Sequence, residues 1–203
     1  MIAIVDYDAG NLRSVEKAFD HLGADTVVTR EPRVILGADK VVLPGVGAFG
    51  DAMGKLSDFG LVDVLHQVVA DGIPLLGICV GLQVMFESSE ESPGVAGLGI
   101  LRGHILRLPP KENHKIPHMG WNNLDIAPGK RLLRGIRPGP YVYFVHSYYP
   151  KADDPGIVAA TAQYTATIDA AVEMGGVFAT QFHPEKSGEV GLEILRNFLE
   201  LDA

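Results

Sequence analysis

Leu75-Leu76-Gly77-Ile78-Cys79-Val80-Gly81-Leu82-Gln83 is the stretch from which the fold can be read. Pro74 to Ile78 forms an apolar run that predicts a buried strand, and Leu82, Met85 and Phe86 follow at helical spacing. Between them sits a glycine-x-cysteine-x-glycine frame. A turn of that form links strand to helix so sharply that the central side chain projects from the sheet edge, and the flanking glycines relieve the crowding. The following helix start presents its amides to the sulfur and favours negative charge there, which is the attacking form of a cysteine. A lone cysteine is by default a small buried hydrophobe. Cys79 is the only cysteine in the chain, and its two glycines set it apart from that default.

On the N-terminal side the same grammar repeats. Ile2 to Asp6 is a short apolar run, and Asn11 then precedes Leu12, Val15, Ala18, Phe19 and Leu22 at helical spacing, with Gly23 as a stop. Thr26 to Thr29 and Lys40 to Leu43 are β-branched strands. Pro44 to Gly50 makes a glycine-rich loop, and helical spacing returns through Leu61, Val64, Leu65, Val68 and Val69 up to Gly72. Alternating strands and helices predict a parallel sheet covered on both faces.

Beyond Gly94 the pattern changes. Leu98 to Leu108, Ile116 to Leu124, Tyr141 to Tyr149, Ile157 to Tyr164 and Ala170 to Phe182 read as strands separated by Gly, Pro and Asp turns, which predicts antiparallel or mixed sheet. Val190 to Leu201 places Val190, Leu192, Leu195, Phe198 and Leu199 near one face of a closing helix. The expectation is an α/β fold with a central mixed, mostly parallel sheet flanked by helices and added antiparallel strands in the C-terminal half.

Composition narrows the function classes. At 203 residues the chain fits one domain, residues 1–203. With 17 basic against 25 acidic residues the formal net charge is -8, a field that repels polyanions, so no nucleic-acid partner is expected. One cysteine forms no internal disulfide, which suits a reducing, cytoplasmic setting and removes multi-cysteine zinc sites. Met1-Ile2-Ala3-Ile4-Val5 is broken at once by Asp6 and Asp8 and reads as a first strand, not a signal peptide. No window reaches the roughly twenty apolar residues of a membrane helix, so no membrane association is expected.

Two further signals carry chemistry. In Phe182-His183-Pro184-Glu185-Lys186-Ser187, which follows a β-like run, His183 and Glu185 are two apart and share a face. A carboxylate beside an imidazole fixes its tautomer and raises its basicity, which is the base and orienter that a cysteine nucleophile needs. The glycine loop Gly45, Val46, Gly47 brings unobstructed amides that, with the amide of Val80, can donate to an oxyanion. As a phosphate cradle it lacks the lysine and hydroxyl of a P-loop. His118 and His146 lie in strand-like contexts where a hydrogen-bonded structural role is the default. His21, His66, His104 and His114 show no metal-ligand spacing, so neither metal nor cofactor is expected. Trp121, Tyr143, Phe144, Tyr148 and Tyr149 read as core or interface aromatics.

The elbow, the Pro44-Gly45-Val46-Gly47 loop and His183-Pro184-Glu185, in this order, resemble a class I glutamine amidotransferase over the whole chain. Longer strings narrow the resemblance. Asp6-Tyr7-Asp8-Ala9-Gly10-Asn11-Leu12-Arg13-Ser14-Val15, His118-Met119-Gly120-Trp121-Asn122, Tyr143-Phe144-Val145-His146-Ser147-Tyr148 and His183 to Ser187 are similar to the glutaminase subunits of imidazole glycerol phosphate synthases. Val80 and Leu82 stand where members of that family often have Leu and Met.

The resemblance implies glutamine hydrolysis through a thioester on Cys79, with His183 shuttling protons and Glu185 orienting it. It also implies that Gln83, the loop at Gly47 and the Ser147-Tyr148 backbone hold the glutamine. The ammonia would pass to a separate cyclase subunit, a (β/α)8 barrel, in a heterodimer serving histidine biosynthesis. Met119, Trp121 and Asn122 would lie towards that junction, and Lys186 would reach across it. Two other readings share the triad: the glutaminase serving pyridoxal phosphate synthesis, and a cysteine peptidase or esterase that acts without a partner.

Overall fold

The computed structural model describes residues 1–201. The N-terminal half runs β1 (Ile2–Val5), α1 (Leu12–His21), β2 (Thr26–Thr29), α2 (Pro32–Leu36), β3 (Lys40–Gly45), α3 (Phe49–Asp58), α4 (Leu61–Ala70), β4 (Leu75–Cys79) and α5 (Val80–Gln83). Every residue of β1 and β4 is buried, as a parallel strand covered on both faces requires. In α1 the buried residues are Val15, Ala18 and Phe19, one stripe of a helix.

The C-terminal half contains β5 (Ser88–Ser89), β6 (Gly103–Arg107), β7 (His118–Asn123), β8 (Asp125–Ile126), β9 (Tyr141–His146), β10 (Tyr148–Ala152), β11 (Val158–Gln163), β12 (Thr167–Met174), β13 (Val177–Thr180) and α6 (Gly188–Leu199). The central sheet has the order β2-β1-β3-β4-β13-β12-β11-β8. From β2 to β13 the neighbours are parallel, and from β13 to β8 they are antiparallel. Right-handed crossovers put α1 on the face opposite α2, α3 and α4. Phe198 of α6 bridges Phe19 of α1 and Phe178 of β13, with ring centroids 6.4 and 6.1 Å away, so α6 covers the α1 face. Two smaller sheets, β10-β6-β5 and the β7-β9 ribbon, complete the molecule.

Sheet order positions the site. Gly45 pairs with Cys79, and β13 pairs with β4 in register Thr180 to Ile78, so the carboxyl ends of β3, β4 and β13 converge. That edge is where open α/β sheets hold ligands.

Several elements depart from the sequence expectation. The run Ala170 to Phe182 is a hairpin, β12 and β13, turning at Gly175, whose φ is +57°. Tyr141 to Tyr149 divides at Ser147 into two strands of different sheets, and only Gly103–Arg107 of Leu98 to Leu108 is a strand. Helix α3 starts inside the expected glycine loop, where Gly50 and Gly54 lower local helix propensity and masked it. Helix α5 stops at Gln83, short of Met85 and Phe86. The carbonyls of Val84 and Met85 accept from the amides of Leu98 and Leu101 at 2.7 and 2.9 Å, so tertiary partners replace the helical ones. Among the described residues no helix is long and apolar enough to cross a membrane.

Candidate active site

Cys79 ends β4 with φ +56° and ψ -110°, a backbone conformation that side-chain-bearing residues rarely hold. The chain tolerates it because the elbow is pressed against β3. A Cβ on Gly81 would lie 1.8 Å from the Leu43 carbonyl oxygen, and one on Gly77 would lie 2.9 Å from that of Gly81. Both glycines are needed for close approach, as the frame predicts.

His183 follows β13 and is fastened to the β9 strand, its amide donating to the Tyr143 carbonyl at 3.0 Å. The Ser187 hydroxyl donates to the His183 carbonyl at 2.6 Å and accepts from the Tyr143 amide at 3.0 Å. Nδ1 of His183 meets Oε1 of Glu185 at 2.8 Å, with side chains 2% and 1% exposed. The carboxylate therefore takes the Nδ1 proton and leaves Nε2 for chemistry. Nε2 is buried without an aligned hydrogen bond, although the Cys79 sulfur is near enough to act on its charge. Burial works against the imidazolium, but Cys79 and Glu185 outweigh it and raise His183 to about 9.

A cavity of about 400 Å³ opens on these groups, lined by Val46, Gly47, Val80, Gln83, Ser147 and Tyr148 as well as Cys79 and His183. Gly45 lies behind this lining, where a Cβ would stand 2.6 Å from the Tyr7 hydroxyl and from the Gly81 amide. Gly47 has φ +94°, which favours glycine there. The Tyr148 carbonyl accepts from Gln83 Nε2 at 3.0 Å and from His146 Nδ1 at 2.9 Å. Both of its lone pairs are thus engaged within the protein.

Several residues at or behind the cavity were not among the expected site residues, Val145 and His146 of its lining included. Glu91 and Pro117 line it, and the Glu91 carboxylate also accepts from the Phe49 amide at the start of α3 at 2.8 Å. Nothing in the acidic run around Glu91 marks it. Tyr7 donates to the Pro44 carbonyl at 2.8 Å beneath the glycine loop. Gln181 donates towards the sulfur at 3.8 Å, and strand alternation from His183 was a usable signal for it. Among the described residues no cluster of three or more His, Cys, Asp or Glu is placed to hold a metal ion.

The model of the class I glutamine amidotransferase family matches residues 3–201. The chain belongs to this family. Among its curated amidotransferase relatives is the imidazole glycerol phosphate synthase subunit HisH of Methanothermobacter thermautotrophicus, 52% identical over 201 residues, covering 99% of this chain and 98% of that one. The HisH subunit of Bacillus cereus is 50% identical over 198 residues, covering 98% and 93%. At this identity over nearly full length, the chain is a HisH-type amidotransferase. Solved amidotransferases share the fold. One crystal structure described as a glutamine amidotransferase superposes with TM-score 0.77 at 21% identity, covering 98% of both chains. The glutaminase domain of Trypanosoma brucei CTPS with bound acivicin gives 0.69 at 17%, covering all of this chain and 94% of the other.

The residues that the amidotransferase resemblance assigned to a partner face divide between two faces. Along β7, Met119 and Trp121 point outward, 63% and 55% exposed, on the side of their β9 partners Val145 and Tyr143. Asn122 points the other way, and its Nδ2 donates to the Gln163 carbonyl at 2.9 Å. Lys186 is exposed on the 3-10 turn Pro184–Lys186.

Proposed function

We propose that this chain hydrolyses glutamine to glutamate and ammonia and supplies the ammonia to the cyclase subunit of imidazole glycerol phosphate synthase. That partner makes imidazole glycerol phosphate and an aminoimidazole carboxamide ribotide in histidine biosynthesis. One observation carries the chemistry: the Cys79 thiol, the unpartnered Nε2 of His183 and the Glu185 carboxylate behind it meet at one cavity. The HisH name of the full-length relatives favours this reading over a pyridoxal phosphate glutaminase and over a peptidase.

The arrangement supports the following cycle. The thiol proton passes to His183, and sulfur attacks the side-chain amide carbon of glutamine. The amides of Val80 and of the Val46–Gly47 loop receive the developing oxyanion. His183 returns the proton to the amide nitrogen, the C–N bond breaks and ammonia leaves a thioester on Cys79. Water, deprotonated by the same imidazole, then releases glutamate. The Glu91 carboxylate in the cavity wall is a match for the α-ammonium of the substrate.

Free ammonia in water becomes ammonium, which has no lone pair to attack with, so a dry junction protects it. The apolar strip of Met119, Trp121 and Tyr141 on the outer face of the β7-β9 ribbon supports a partner there. Val145, the cross-strand partner of Met119, lines the cavity, so the strip begins at its rim. Lys186, exposed on the turn after His183, is the cation the proposal assigns to the same partner. The test is glutamine labelled with nitrogen-15 in its amide, given to the chain with its cyclase and ribonucleotide substrate. Label should enter the imidazole product; glutamine left intact, or label found only as free ammonium, refutes the proposal.

A further inference from the structure

The Tyr148 carbonyl sets the direction of a buried hydrogen-bond chain. A carbonyl only accepts, so His146 Nδ1 and Gln83 Nε2, its two neighbours, must both donate. With Gln83 turned this way, its second Nε2 hydrogen meets Oε1 of Gln181 at 2.9 Å. Gln181 is then left one orientation, with oxygen towards Gln83 and nitrogen towards Sγ of Cys79, 3.8 Å away. On the other side, neutral His146 accepts at Nε2 from His118 Nδ1 at 3.0 Å, and His118 Nε2 faces Asn122 Nδ2 at 3.4 Å. Donors and acceptors alternate without conflict from Asn122 to the sulfur.

Gln181 is 0% exposed, so water does not compete for its amide. The sulfur's other neighbour is the Val145 carbonyl at 4.0 Å, an acceptor that suits the thiol but repels a thiolate. Beside the His183 imidazolium, the Gln181 N–H is the neutral side-chain donor directed at the charged sulfur. We propose that Gln181 is a positioning residue for the nucleophile: held by Gln83, it keeps an N–H on the Cys79 sulfur. This rests on the assignment of Cys79 as nucleophile. When sulfur attacks, its electron pair moves into the new C–S bond. When water hydrolyses the thioester, the C–S bond breaks and the pair returns to sulfur, where the same N–H receives the charge. The contact also holds the sulfur in one place for an attack whose rate depends on alignment.

Gln181→Glu and Gln181→Met, each in the full chain with its cyclase subunit, test the proposal. Glu keeps the oxygen that Gln83 needs and loses the N–H, so kcat for glutamine should fall about tenfold to a hundredfold with KM within about twofold. Alkylation of Cys79 by iodoacetamide without glutamine should slow in parallel. Met fills the volume but loses both contacts, so kcat should fall and KM should rise. Synthesis driven by added ammonium salt should persist in both, which reports intact fold and pairing; if Glu at this site prevents folding, the Met variant is read alone. Wild-type kcat and alkylation in either folded variant, or an effect confined to KM, overturns the proposal. Glutamine hydrolysis by Cys79→Ala would instead remove the nucleophile assignment, and the proposal with it.

Discussion

Strands β3 and β4 shape the cavity with tightly packed backbone that presents one side chain, Cys79, whereas the segment after β13 and the β7-β9 ribbon shape it with side chains. On the first side Gly45, Gly77 and Gly81 clear space, Gly47 takes φ +94°, and the elbow bends Cys79 into a conformation with φ +56°. On the second side His183, Glu185, Gln181, His146 and His118 are tied by directed hydrogen bonds across the sheets. A backbone device is built from neighbours in sequence and tolerates no added atom. A side-chain network is built from residues far apart and fails through charge or lost partners. The two sides should therefore break differently.

Cys79→Ala should show the largest effect, lowering glutamine hydrolysis on the order of 10⁴-fold or more while ammonium-driven synthesis in the complex persists. Loss of both together would mean the residue supports the fold more than the chemistry. Gly81→Ala should break the backbone side through packing. The new Cβ would stand 1.8 Å from the Leu43 oxygen, and such overpacking costs about 3 kcal/mol or more, roughly a 10 °C drop in melting temperature. A melting curve unchanged from wild type would contradict the close approach.

Glu185→Gln tests the side-chain half. The amide still accepts from Nδ1 but does not stabilise the imidazolium, so kcat should fall about a hundredfold. The pH profile should move as well. His183 keeps its proton up to about 9 because Cys79 and Glu185 outweigh burial, so turnover should decline above that pH in the wild type. Without the carboxylate the alkaline limb should shift lower; an unmoved limb refutes the coupling. The raised imidazole also contributes stability that is full below about 6.5 and is lost as pH rises through about 9.

A smaller effect distinguishes the histidine pair. Burial lowers His146 to about 3 and His118 to about 4, and both are neutral when folded. Unfolded histidines take up protons near 6.5, so stability should be full above that value and decline as pH falls towards 4. Melting temperatures at pH 7.5 and 5 should show this slope, and His146→Asn should flatten it; equal slopes would exclude the pair as its source. The smallest change in stability is expected on the outer ribbon face. Trp121→Ala should alter stability by less than about 0.5 kcal/mol yet weaken cyclase binding by about tenfold or more. Asn122→Ala, on the inner face, should do the reverse and lower stability by about 1 kcal/mol. Titration calorimetry and thermal melts on both variants separate the faces, and identical behaviour would contradict the alternation.

The strand-elbow-helix unit was legible because its signals are local. An apolar run, two glycines and one cysteine within nine residues determine a sharp turn wherever the chain folds. The 2.8 Å contact of His183 with Glu185 was expected from alternation in an extended segment, but it is made across the 3-10 turn Pro184–Lys186. Helix α5 was overestimated because the amides that end it come from Leu98 and Leu101, beyond any helical window. Glu91 gave no signal, since its place in the cavity wall depends on the path of the chain between α5 and β6.

Taken alone, the sequence determined that the N-terminal strands β1 to β4 form a parallel sheet, where the elbow falls and which residues are candidates for nucleophile and base. All of these follow from propensity, glycine placement and spacing along the chain. Tertiary structure alone decided that β13 inserts beside β4, which brings His183 to Cys79 across a separation of 104 positions in sequence. It also decided that Asn122 faces inward while Trp121 faces out, and that Gln181 presents nitrogen and not oxygen to the sulfur. The physical reason is that strand order and amide orientation are set by partners distant in sequence: hydrogen bonds between β4 and β13 in one case, the Tyr148 carbonyl acting through Gln83 in the other.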